Sequence, residues 1–273
     1  MVDFRHIPLG NDFAFSEVMR EPAICKHFLE LVLGIRIRRL EFVERERDLS
    51  DSFFFHGIRL DVYVEDDADS VYDIEMQNRL ESFKRIRYYQ AGIDRRTLEK
   101  GNPKYQALKT SYIITVCSYD PTGKKAPLSY PMYRRESVLR CPAGSRPYED
   151  GSYVIFLNAC YDPKYRAEMP EVCEFLDLLP RQEDVPAESL KYPLSKLAVS
   201  SLNKLRNDEG KGTFYMTIGE KIQEEIWYAR QEEREKSLKE GLEKGCAETR
   251  EADIQKLMQK MNLTREEAEK LLS

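Results

Sequence analysis

The stretch from Arg59 to Asn78, R-L-D-V-Y-V-E-D-D-A-D-S-V-Y-D-I-E-M-Q-N, constrains the fold more than any other part of the chain. Ile58, Leu60, Val62 and Val64 alternate with Arg59, Asp61, Tyr63 and Glu65, the period of two expected of a half-buried strand. Asp66 to Ser70 has the Asp/Ser composition that favours chain reversal. Beyond it, Tyr72, Ile74 and Met76 alternate with Asp73, Glu75 and Gln77. Successive strand side chains point to opposite faces, so Glu75 and Gln77 share one face and antiparallel pairing brings Asp61 beside them. Two carboxylates and an amide converging on a sheet make a seat for a hard divalent cation such as Mg2+. The same alternation also describes an ordinary solvated sheet face.

The flanking segments supply the partners of this hairpin. Asn11-Asp12 caps a first helix, Pro22 opens a second, and Gly34 ends it. A strand is expected over Ile35–Glu46. Ser82 to about Lys100 is the clearest helix, with Phe83, Ile86, Tyr89 and Ile93 recurring at helical spacing and Gly101-Asn102-Pro103 stopping it. The apolar run Tyr112–Cys117 reads as a central strand covered on both faces, and Tyr153–Leu157 as another. The order through Cys117, helix, three strands, helix, strand, is an α/β core with both faces of the sheet at least partly covered. From about Asp162 the pattern turns helical: Pro170 to Leu179, Glu188 to Leu205, and Phe214 to about Glu240. The divisions expected are a domain over 1–230, with its core at about 11–160 and a helical extension at 161–230, and a charged tail at 231–273. That tail is broken by Gly241 and Gly245 and ends in an amphipathic, helix-turn-helix-like segment, Ile254–Leu272, with Thr264 as a cap and Glu267 three residues on at capping-box spacing. Its mixed charge suits a partner-binding or self-association helix better than DNA reading, and a homo-oligomer formed through the tail is one such arrangement.

Charge and cysteine usage narrow the chemistry. Between Ser82 and Arg146 there are 14 Lys/Arg against four Asp/Glu, a net of +10 in a chain whose total is −5. A basic segment directly after an acidic site suits a phosphodiester substrate, because phosphate neutralisation supplies most non-specific affinity; a solvated helix face would look the same. The six cysteines are scattered without a C-x-x-C pair, which points to reduced thiols and away from zinc. The three histidines, His6, His27 and His56, show no triad or ligand spacing. No run approaches the ~18 apolar residues of a membrane span, and no basic segment leads into an apolar one at the N-terminus. A cytoplasmic location without a membrane partner is expected.

Four motifs together resemble the Rpn family of recombination-promoting nucleases and putative transposases, a branch of the PD-(D/E)XK nuclease superfamily. They are N-D-F-A-F near the start; R-L-D-V-Y-V with Y-D-I-E-M-Q; F-K-R-I-R-Y-Y after the hairpin; and the K-E-G-L-E-K-G tail ending in M-N-L-T-R-E-E-A. The resemblance implies a restriction-endonuclease-like α-β-β-β-α-β core with a mixed sheet flanked by helices, plus a helical C-terminal extension. It matches Asp61 to the first metal-ligating aspartate, Glu75 to the second carboxylate, and Gln77 to a third position where many relatives have lysine. Met76 would add a backbone carbonyl to the metal. Arg85 and Tyr89 match the helix motif, with Lys84 and Arg87 beside them as substrate-binding candidates. Asp12 is either an accessory acid or a cap, and the cap is favoured. Ser16 stands where the family commonly has lysine. The function implied is an Mg2+-dependent DNA endonuclease in recombination, mobile-element or phage-defence roles; the alternative is a catalytically silent relative that binds nucleic acid or a protein.

Overall fold

In a computed structural model of the protein, the residues described are 3–42, 61–80, 82–98, 104–123, 129–217, 245, 251–256, 258, 261 and 264–266. They divide into two compact units, Met1–Gly212 and Thr213–Ser273.

The first unit is built on a mixed six-stranded sheet. Its strands in chain order are β1 (Leu40–Phe42), β2 (Val62–Asp66), β3 (Ser70–Gln77), β4 (Thr110–Cys117), β5 (Met132–Arg134) and β8 (Ser152–Asn158), and across the sheet the order is β1-β2-β3-β4-β8-β5. The remaining strands, β6 (Val138–Cys141) and β7 (Gly144–Pro147), form a separate exposed ribbon. β3 is central, antiparallel to β2 and parallel to β4, and β4 is parallel to β8.

The turn between β2 and β3 is built by its aspartates. Asp66 Oδ1 accepts from the amides of Ala68 (2.9 Å) and Ser70 (2.8 Å), the local bonding that makes Asp a turn former. Asp69 takes the left-handed conformation there at φ 64°. Lys109 Nζ then closes the turn from β4's side, reaching Glu65 at 2.8 Å and Asp69 at 3.1 Å.

Helices cover both faces. α1 (Asp12–Met19) packs on β3 and on α5 (Pro193–Arg206), which also packs on α2 (Pro22–Leu33) and α4 (Pro170–Leu178). On the opposite face α3 (Phe83–Thr97) packs on β4. Tyr89 and Ile93 from α3 are buried there with Tyr63, Val71 and Ile113 from the sheet. Arg206, buried near the end of α5, donates to the Ile7 carbonyl through Nε (3.0 Å) and Nη2 (2.9 Å), tying the last helix of the unit to the N-terminal segment.

Several expectations are corrected. The hairpin is covered on both faces rather than half-buried, because α3 lies over the side that carries the acids; its expected start at Ile58–Leu60 lies outside the described residues. Of the strand expected over Ile35–Glu46, Leu40–Phe42 is present and pairs with β2, residues 35–39 are outside it, and 43–46 lie outside the described residues. α3 ends at Thr97, before Lys100. Phe83 heads its apolar stripe yet is 61% exposed, touching the sheet through the Phe156 ring. The helix expected from Glu188 starts at Pro193, whose fixed φ and missing amide suit a first helical position. Strands β5 to β7 have no counterpart among the elements expected from the sequence.

In the second unit, 213–217 and 251–256 are helical, and Arg265 pairs with Glu251 through two bonds of 3.1 and 2.7 Å. Thr264 is not helical while Arg265 and Glu266 are, in keeping with the cap expected at Thr264; 262, 263 and 267–273 lie outside the described residues. Gly241 and most of 218–250 lie outside the described residues. Among the described residues no helix is long and apolar enough to cross a membrane, and Cys25, Cys117, Cys141, Cys160 and Cys173 are free thiols.

Candidate active site

Asp61 and Glu75 meet where the β2–β3 ladder stops. The last paired residues are Val62 and Ile74. One step further, side chains take over the bonding: Asp61 Oδ2 accepts from the Met76 amide at 3.0 Å, and Glu75 Oε1 accepts from the Asp61 amide at 3.1 Å. Each carboxylate is thus oriented by the backbone beside the other. Ser16 Oγ in α1 donates to the Asp61 carbonyl at 3.1 Å, so the residue standing at the lysine position of the motif serves as a brace for the strand.

The same face of β3 carries three buried polar side chains: Asp73 (0% exposed), Glu75 (2%) and Gln77 (8%). The solvated reading of this face is therefore wrong. Gln77 Nε2 lies 3.5 Å from Glu75 Oε2, and Arg85 Nη2 from α3 lies 3.8 Å from the same oxygen. Arg85 is held in turn by Tyr89, whose hydroxyl accepts from its Nε (2.9 Å) and Nη2 (2.6 Å), while its guanidinium stands 5.0 Å from the Tyr89 ring centre. Arg85 and Tyr89 therefore belong to the cluster.

Burial and like charge leave these acids proton-hungry. Burial first, then the Asp61 charge, pushes Glu75 up to about 8, against the opposing pull of the Asp61 amide and Arg85. Asp73 is raised well above the ordinary carboxyl range, by burial and then by Glu75 and Asp61. It lies next to Glu75, yet neither of its oxygens makes a bond of hydrogen-bond geometry. Alternation with Glu75 was the signal that could have picked Asp73 out.

The donor set fits a hard dication. Asp61 and Glu75 present oxygen ligands on adjacent strands, and Arg85 offsets only part of their charge. Among the described residues no group of three or more His, Cys, Asp or Glu is arranged to hold a metal ion, so water or phosphate oxygens would have to complete the shell, as Mg2+ commonly requires.

The other candidates fall outside the cluster. Lys84 and Arg87 are exposed on α3. Asp12 is not the cap: Asn11 is, accepting from the amides of Phe13 and Ala14. Asp12 Oδ1 instead accepts from Asn78 Nδ2 at 2.7 Å, and Asn78 also donates to the Gly10 carbonyl at 2.9 Å, pinning the strand's exit to α1. Burial raises the Asp12 carboxyl, with Asn78 and then Arg85 opposing. His27 bonds Glu171 at 3.0 Å between helices, a structural role.

Beside Glu75 and Gln77 a narrow open cleft lies between the first turns of α3 and the loop after β4. It gives a substrate access to Glu75, which is otherwise enclosed.

Residues 9–135 match the family model of the PD-(D/E)XK nuclease family transposases. This segment belongs to that family, and it contains Asp61, Glu75, Gln77 and α3. The mixed α/β sheet flanked by helices is the fold expected of it, and the match supports a function of nuclease or transposase type. No curated protein and no solved structure matches the chain.

Proposed function

We propose that the protein is a metal-dependent endodeoxyribonuclease acting in recombination, mobile-element or phage-defence roles. The observation that carries this reading is the interlocked Asp61–Glu75 pair, two carboxylates oriented by each other's backbone, with Glu75 on the floor of a cleft. Asp61, Glu75 and the Met76 carbonyl would hold Mg2+ or another dication. When bound, the ion supplies a water of lowered pKa and neutralises charge developing on the phosphate. Gln77 cannot carry charge, so it orients the attacking water by hydrogen bonds, where lysine would add electrostatic stabilisation. Arg85, steadied by Tyr89, would meet a phosphate oxygen of the substrate with its guanidinium.

Supercoiled plasmid incubated with Mg2+ is expected to be nicked or linearised, and chelator to stop the reaction. One observation favours a second reading. Arg85 already offsets part of the Glu75 charge at 3.8 Å, as it would in a silent relative that only binds nucleic acid. Plasmid retarded in a gel but left intact with every divalent metal tried would select that reading.

A further inference from the structure

The cleft beside Glu75 has an uneven lining that a phosphodiester does not require. Its floor is polar: Glu75, Gln77 and Arg85. Its walls are apolar and largely aromatic, formed by Phe83 and Ile86 of α3, Tyr119 and Pro121 after β4, and Phe156 of β8. Phe83 and Phe156 have ring centres 5.4 Å apart at 60° to one another. Phe83 remains 61% exposed in a helix whose other apolar residues face the sheet. Leu80, in the loop leading to α3, is also exposed. Exposed aromatic surface at the rim of a charged site is unfavourable in water unless something stacks on it.

A second observation points the same way. Thr115 Oγ1 of β4, on a residue 2% exposed, lines the cleft and has no hydrogen-bond partner. Buried polar atoms are almost always satisfied, and this one is left for a ligand that can bond at the floor while its ring lies against the walls. A planar heteroaromatic ring with a polar edge meets both conditions.

We propose that this cleft receives an unpaired nucleobase, stacked on Phe83 and Phe156 with its edge towards Thr115 and Gln77, so that single-stranded or locally unpaired DNA is the favoured substrate. The proposal rests on the nuclease reading. In a duplex the base edge is paired and the ring stacked, so entry requires unpairing, whereas in a single strand both are available. The base adjoining the scissile phosphate would then fix that phosphate against Asp61 and Glu75.

The test uses full-length protein in chelator, so that binding is read without cleavage. Fluorescence anisotropy compares a labelled single strand, the same strand with abasic sites, and its duplex. Wild type is expected to bind the intact strand about tenfold more tightly than the abasic one. Phe83→Ala, at an exposed position, should bring the two within about twofold, Phe83→Trp should keep the preference, and Thr115→Val should lose part of it. Equal affinity of wild type for all three polymers would overturn the base cleft and leave the nuclease reading standing. Failure to bind any of them would overturn both.

Discussion

The two faces of β3 differ by one residue of register and by almost everything else. Tyr72, Ile74 and Met76 point to the α1 side and are buried among apolar neighbours. Asp73, Glu75 and Gln77 point to the α3 side and are buried as deeply. The first set is ordinary core. The second is costly to enclose, because desolvating an acid disfavours its charged form and Arg85, 3.8 Å from Glu75, offsets only part of that cost. A sheet that only needed to fold would put aliphatics on both faces. That one strand carries a core on one side and a charge-strained cluster on the other is the mark of a site maintained at the expense of stability.

The largest expected break in this contrast is in activity. Asp61→Ala and Glu75→Ala should each lower plasmid cleavage by about 10³-fold or more, because each removes a proposed oxygen ligand and the orientation of its neighbour. Neither should lower the melting temperature as Ile74→Ala does, which opens a cavity in the apolar face at about 2–5 kcal/mol. Cleavage equal to wild type in both acid variants would mean that the activity lies elsewhere.

The next is in stability against pH. Glu75 titrates at about 8 in the folded protein against an ordinary 4.5, so between those values the native state holds a proton that the unfolded chain has lost. Stability is then fully present below the lower value and falls as pH rises towards the upper one, by a few kcal/mol at most at ~1.4 kcal/mol per unit. Asp73 acts in the same direction. Melting temperatures in chelator should therefore drop from about pH 5.5 to about pH 8.5. Glu75→Gln should flatten that slope, and added Mg2+ should stabilise more at the alkaline end. A melting temperature that rises through this window would show that the acids are already compensated.

These expectations bear on how much the sequence could reveal. The hairpin and the convergence of Asp61, Glu75 and Gln77 were legible because strand alternation fixes faces, and β4 because an unbroken apolar run can only be covered on both sides. Whether the acidic face met water or α3 was not legible, since both give the same alternation; only the packing of Tyr89 and Ile93 decides it. Asp73 escaped notice because a third acid in an alternating strand looks like solvation. The ribbon β6–β7 was invisible for a different reason: all eight of its strand residues are exposed, so it has no hydrophobic period to read. Phe83 misled in the opposite sense, because helical spacing tells which residues share a stripe but not how deeply each is covered.

A smaller effect should separate orientation from packing at the third polar position of β3. Gln77→Leu keeps volume but removes the hydrogen bonds, and should cost cleavage about ten- to a hundredfold. Gln77→Lys should be tolerated, since an ammonium can also hold water and adds charge stabilisation. Full turnover in the leucine variant would make residue 77 a packing position like Ile74.

The smallest effect belongs to the outer side of α3, and it contrasts neighbours on one helix. Arg85 is committed inward to Tyr89 and Glu75, while Lys84 and Arg87 are exposed. Exposed cations meet phosphate without reading sequence, so their contribution is counterion release. Replacing Lys84 and Arg87 together by glutamine should weaken DNA binding only severalfold at moderate salt. It should also make the slope of log affinity against log salt shallower by about one for each phosphate no longer neutralised. Cleavage at saturating DNA should be unchanged, because neither residue touches the acids. Arg85→Gln should do the reverse, altering turnover more than the salt slope. If affinity falls in the Lys84/Arg87 double variant with the slope unchanged, the loss comes from shape or fold, and the basic stretch after the hairpin is a solvated helix face after all.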